Sequence, residues 1–182
     1  MSILEYATSI LSIVLGLGVA HLLGGIAWMA RNPKNSALFY AFEIWCVSVL
    51  LATLGWWWAI WSAFRDLDAL AFWGFLPAFL ISTLLYLAGR ILVPPSTELS
   101  GGLDDNFPLA AKPLCLCIAT IFFISGGLGP TPVLSFELVL GLALIGIALS
   151  GVFAKTPQHH LYVALGWLCV YLVQQTIQPD IA

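Results

Sequence analysis

The sequence predicts an all-α polytopic membrane helix bundle of six transmembrane helices, with the N-terminus and the C-terminus both outside. Three observations carry that prediction. Of 182 residues, 61% are hydrophobic and 8% charged, against about 25% charged residues in a soluble domain. Cutting the chain at charges, prolines and polar turns leaves six apolar segments, at about 4–30, 36–64, 69–92, 109–128, 133–154 and 159–178. Each is close to or above the ~20 residues that a bilayer crossing needs. With the N-terminus outside, Arg31, Lys34, Arg90, Lys112 and Lys155 fall on the cytoplasmic side and Arg65 alone on the other, as the positive-inside rule requires. The expected location is a bacterial inner membrane, the chain crossing it several times as a single transmembrane domain.

Helix 1 lacks a basic n-region, and its apolar stretch from Ile10 to Ala30 is too long for a signal-peptide core, so it reads as a retained helix. Thr8, Ser12, Gly16, Ala20 and Gly24 recur every four residues as a helix-packing ridge of small side chains along which another backbone can approach. Tight packing within the chain and a homo-oligomer seam both fit that ridge. Gly18 and Gly25 flank His21, which lies nine residues from the inner end of the helix, roughly 13 Å deep at 1.5 Å per residue.

Helix 2 brings Glu43 to a comparable depth, about seven residues from its inner start. The short link Arg31–Asn35 makes helices 1 and 2 antiparallel neighbours, so His21 and Glu43 are expected to meet as a polar pair in the membrane. Such a pair lowers the burial cost of each partner and serves either as a proton or cation relay or as a static hydrogen bond between helices. The helix ends in Trp56, Trp57, Trp58 and Trp61, and Trp73 opens helix 3. These five form a predicted outer aromatic belt, anchoring the bundle where indoles prefer to sit or offering a platform for quinone or pigment. Trp45 and Trp167 lie deeper and read as packing residues.

Helix 3 ends at Arg90, which can snorkel to the headgroups. Residues 94–108 form the predicted cytoplasmic loop, acidic through Glu98, Asp104 and Asp105 but without calcium-loop spacing. Helix 4 is the weakest segment, because Lys112 and Pro113 fall in its predicted first turn; a re-entrant segment is the alternative. Helix 5 begins near Glu137, and Glu5 occupies the corresponding turn of helix 1. These outer acidic groups complement the helix dipoles and, on one vestibule, would attract cations. Helix 6 opens with His159 and His160 beside Lys155, read as water-accessible surface histidines.

The four cysteines, Cys46, Cys115, Cys117 and Cys169, lie in apolar runs and read as small hydrophobes, with no metal site. The net charge of −3 without a basic block predicts no nucleic-acid partner. Enzyme signatures are absent: no G-x-S-x-G, no H-E-x-x-H, no phosphate-binding loop, so no catalytic residue and no cofactor is assigned. The expected function is a small channel or transporter-like protein for ions or protons, with His21 and Glu43 on its polar path. The alternative is a non-catalytic subunit or assembly factor of a larger membrane complex, docking other helices, quinone or pigment. The expected partners are the lipid bilayer and either further copies of the chain or other subunits.

The run Ser12-Ile13-Val14-Leu15-Gly16-Leu17-Gly18, continuing to His21-Leu22-Leu23-Gly24-Gly25, resembles the first helix of a group of small uncharacterised bacterial polytopic membrane proteins. Trp57-Trp58 with Trp61, and helix 3 ending at Leu92-Val93-Pro94, belong to the same resemblance. It covers about the first half of the chain and implies a topology only.

Overall fold

Lipid offers no water to peptide groups, so an apolar segment satisfies its backbone by closing hydrogen bonds within itself as helix. In the computed structural model, which describes residues 3–64, 72–93, 103–126 and 136–177, six α-helices form among the described residues. They are α1 (Ile3–Arg31), α2 (Ala37–Phe64), α3 (Phe72–Leu92), α4 (Leu103–Gly126), α5 (Phe136–Val152) and α6 (Pro157–Ile177). Four of them, over Glu5–Arg31, Ala37–Phe64, Phe72–Leu92 and Phe107–Ser125, are long and apolar enough to cross a membrane. The chain is a helical membrane protein.

The start of one helix differs clearly from expectation. Helix α4 begins at Leu103 rather than 109, taking the last residues of the predicted 94–108 loop. Asp104 and Asp105 then fall in its first turn. Pro108, Lys112 and Pro113 lie inside the helix rather than in its first turn, and Phe107–Ser125, which contains all three, is long and apolar enough to span. The short element is α5, whose 17 residues rise about 25 Å against a hydrocarbon core of about 30 Å. Helix α6 is longer but carries His159, His160, Gln174 and Gln175. Length sets α5 apart from the four spanning helices, and polar residues set α6 apart.

The links fold as their residues dictate. Ser36 Oγ accepts the Phe39 N–H at 3.2 Å and starts α2; Thr156 Oγ1 accepts the His159 N–H at 3.3 Å and starts α6. Both are N-caps that satisfy one of the otherwise free amides of a first turn.

Packing closes the helices into a ring in the order α1, α3, α4, α5, α6, α2, with α2 also reaching inward to α3 and α4. On α1 the buried face is Ala7, Leu11, Leu15, Gly18, Leu22, Gly25 and Met29, a near-heptad stripe of alternating four- and three-residue steps. Gly18 abuts Tyr86, Leu22 fits over Gly89 and Gly25 meets Val93. The offset between partners stays constant within one residue, so α1 and α3 run parallel in register.

The centre is aromatic. Phe42 of α2 and His160 of α6 each set a ring edge-on to Phe107 of α4, with centroids 6.1 and 5.6 Å away. Farther along, Trp167 packs 5.6 Å from Trp45 and 5.6 Å from Phe122, and stacks on Tyr171 at 5.2 Å and 8°. These contacts advance together along α2, α4 and α6, which therefore point the same way. His160 is only 4% exposed, not the surface residue expected, because Phe107 covers its ring. His159 beside it is exposed.

Candidate functional site

His21 flanks the buried stripe of α1 on the side of α3, three residues after Gly18 and four before Gly25. Its Nε2 donates to the Val93 carbonyl at 2.6 Å, and its Nδ1 lies 3.5 Å from Arg90 Nη1. One neutral tautomer satisfies both: Nε2–H donates, while Nδ1 accepts a long bond from the guanidinium. Val93 follows the last residue of α3, so the imidazole caps a carbonyl that the helix leaves free. Glu43 is half-buried and forms no hydrogen bond or ion pair among the described residues. Register explains the separation. Trp57 Nε1–H donates to Ser12 Oγ at 3.3 Å, which in an antiparallel pair puts His21 level with Ser48, five residues or roughly 8 Å along the axis from Glu43. His21→Phe, which keeps a ring and removes the cap, is expected to cost about 1 kcal/mol and to speed amide exchange over the last turn of α3. Unchanged exchange there would show that the cap carries no weight.

The small-residue ridge turns outward. Ser12, Gly16, Ala20 and Gly24 are exposed and Thr8 is half-buried, and a Cβ added at Gly16 or Gly24 would meet nothing within 4 Å. Close packing within the chain falls instead on Gly18 and Gly25. Of the five belt tryptophans, Trp57, Trp58, Trp61 and Trp73 are exposed, with Trp58 against Trp61 at 5.6 Å and Trp73 against Phe72 at 5.5 Å. Trp56 departs from the belt: it is half-buried, and its Nε1–H donates inward to Ser82 Oγ at 3.1 Å. Glu5 is exposed in the first turn of α1, whereas the side chain of Glu137, in the first turn of α5, lies outside the described residues, as do Arg65 and Glu98.

Hydroxyls at membrane depth close onto their own helices. Ser48, Thr53, Ser82, Thr83 and Thr120 each donate to the carbonyl four residues back, at 2.7–2.8 Å. Such bonds satisfy the hydroxyl locally, so these five described side chains do not pair across helices through their donated hydrogens.

The polar chemistry that is left open converges elsewhere. A cavity of about 210 Å³ lies between α2, α3, α4 and α6, walled by Val49, Ala52, Trp56, Leu85, Ile118 and Phe122, with Trp167, Tyr171, Gln174 and Gln175 along its α6 side. Trp167 is 1% exposed, and its Nε1, like Gln174 Oε1, is buried with no hydrogen-bond partner among the described residues. An unmatched buried polar group costs about 1–3 kcal/mol, and both of these belong to residues of the cavity lining, packed behind its surface. Tyr171 is spoken for, since its hydroxyl donates to the Leu51 carbonyl at 3.3 Å. Gly55 keeps the wall open, because a Cβ there would sit 2.7 Å from that hydroxyl. Sequence reasoning took Trp167 as packing and overlooked the glutamines. The available signal was the spacing of Trp167, Tyr171 and Gln174 at i, i+4 and i+7, which places all three on one face of α6.

No protein-family model, no curated protein and no solved structure matches the chain.

Proposed function

We propose that the chain is a non-catalytic membrane protein that holds a small lipid-soluble molecule in the cavity between α2, α3, α4 and α6. The observation that carries this reading is the cavity itself, mainly apolar, with Ser125, Trp167, Tyr171, Gln174 and Gln175 as the polar-bearing residues of its lining. Binding sites for small molecules are mainly apolar with a few placed polar groups. At about 210 Å³ the space is below the ~300–1,000 Å³ of drug-sized pockets, which favours a single ring over a haem or an extended pigment. A channel through His21 and Glu43 draws less support, because His21 is committed to α3 and the hydroxyls are closed locally. In proteoliposomes, proton flux that Glu43→Gln abolishes would restore the channel reading.

The proposed setting is six spans in a bacterial inner membrane, both termini outside. The parallel run of α2, α4 and α6 and the five-to-one distribution of Lys and Arg support it. Reporter fusions at either terminus are expected to report the outer side, and cytoplasmic signal from either would overturn that orientation.

Binding is tested with 4-methylphenol, a single-ring alcohol able both to donate and to accept. Titrated into the protein in nanodiscs, it is expected to bind saturably, and Ala52→Phe, which fills the cavity, is expected to weaken it more than tenfold with helical content unchanged. Binding that survives Ala52→Phe, or that equals partition into empty nanodiscs, would sink the reading.

A further inference from the structure

The lining of the cavity is ordered along its length. Val49, Leu85, Ile118 and Trp167 lie toward one end, while Ser125, Gln174 and Gln175 lie at the other, where α4 finishes at Gly126 and α6 at Ile177. We propose that the cavity selects an uncharged single-ring molecule with a hydroxyl at one end, its hydrocarbon seated toward Trp167 and its O–H among Ser125, Gln174 and Gln175. The proposal rests on the reading of the cavity as a binding site.

A dry cavity of about 150 Å³ accepts benzene, so about 210 Å³ admits one ring with a small substituent. From Trp167 to Gln175 the lining rises about 12 Å along α6, so a substituted ring lies lengthwise, parallel to the helices. At the Trp167 end it meets carbon: the side chains of Val49, Leu85 and Ile118 are hydrocarbon, and the indole Nε1 is packed away from the surface.

The other end is polar. Ser125 Oγ gives its hydrogen to the Phe122 carbonyl at 3.2 Å and keeps lone pairs with which to accept. Gln175 is exposed, and its Oε1 comes within 3.8 Å of the point where a side chain on Gly55 would begin, a second acceptor on the same wall. Of the Gln174 amide the oxygen is packed away, which leaves the nitrogen, a donor. Acceptors and a donor therefore share one end of the cavity. A hydroxyl both donates and accepts, so a single ligand atom answers both. An ether or carbonyl oxygen only accepts, and leaves Ser125 and Gln175 without a hydrogen to receive. Among the described residues no Lys, Arg, His, Asp or Glu lines the cavity, so a charged head would enter without a counterion. The dipoles of α4 and α6 also turn their negative ends toward this end of the cavity, which weighs further against an anion.

The test compares 4-methylphenol with 4-methylanisole, in which a methyl ether replaces the O–H, on the full chain in nanodiscs. After subtraction of partition into empty nanodiscs, the phenol is expected to bind about fivefold more tightly than the ether. Gln175→Leu is expected to weaken the phenol about fivefold and to leave the ether within about twofold. Nuclear Overhauser contacts are expected between the methyl group of the phenol and the labelled methyl groups of Val49 and Ile118. Equal binding of phenol and ether, or an equal loss of both on Gln175→Leu, overturns the hydroxyl assignment and leaves the binding site standing. Contacts from the ligand methyl to the side chains of Gln174 and Gln175 overturn the orientation. Binding of 4-methylbenzoate or 4-methylbenzylammonium as tight as that of the phenol overturns the preference for an uncharged head. Binding of none of these compounds overturns the site together with its ligand.

Discussion

Gly25→Val is expected to force α1 away from α3 and to lower the unfolding free energy by about 3 kcal/mol. A Cβ at this position would lie 2.5 Å from Val93 Cγ2 and 3.0 Å from Cγ1. The atoms it meets belong to a short, branched side chain that is stiff at χ1. The same segment holds the Val93 carbonyl under His21, so displacement also removes a cap. Membrane helices gain little from the hydrophobic effect between one another and depend on close packing, which makes a small residue on a seam hard to replace. Reversible unfolding in bicelles by graded detergent measures the loss. Gly16→Val and Gly24→Val supply the contrast: with open space around both positions, each is expected to stay within about 0.5 kcal/mol of the parent. Equal losses at Gly25 and Gly16 would show that the packed face of α1 has been misassigned.

Trp167→Ala is the second large effect, expected at about 3 kcal/mol. The indole is the hub at which Trp45, Phe122 and Tyr171 meet, and removing it opens a cavity of more than 100 Å³, each Å³ costing about 24 cal/mol where the surroundings do not collapse. The replaced ring also takes with it an N–H that is buried without a hydrogen-bond partner among the described residues. Trp167→Phe separates the two roles, because it keeps most of the packing and loses the N–H; its stability is expected to fall by less than half as much. A Trp167→Ala protein as stable as the parent would mean that the aromatic centre is not what holds α2, α4 and α6 together.

The membrane character and the helical class were legible because they depend on composition and on run length, which neighbours in space do not alter. The site was less so, and His21 shows why. A short link made α1 and α2 neighbours, and from that the pairing with Glu43 followed; but Gly18 and Gly25, seven residues apart, let α3 come close along the face that carries His21. The i+4 ridge misled for a geometric reason. Each four-residue step turns about 40° beyond a full revolution on a helix of 3.6 residues per turn, so Thr8 and Gly24 lie far apart around the axis. The buried stripe alternates steps of four and three residues and drifts much less. Trp167 was legible as a packing residue, but the cavity it shares with Gln174 was not, because only the approach of α2, α3 and α4 turns a face of α6 into a cavity, and those contacts join residues distant in sequence.

That distance bears on biosynthesis. The Tyr171 hydroxyl and the Leu51 carbonyl it bonds are separated by 120 residues. At the pace of translation, on the order of ten seconds pass between the emergence of one and the other. Throughout that interval the face of α2 bearing Trp45 and Gly55 has no α6 to receive. A chain arrested before α6 therefore offers the membrane insertion and quality-control machinery a half-built aromatic surface, and arrival of α6 is what withdraws it.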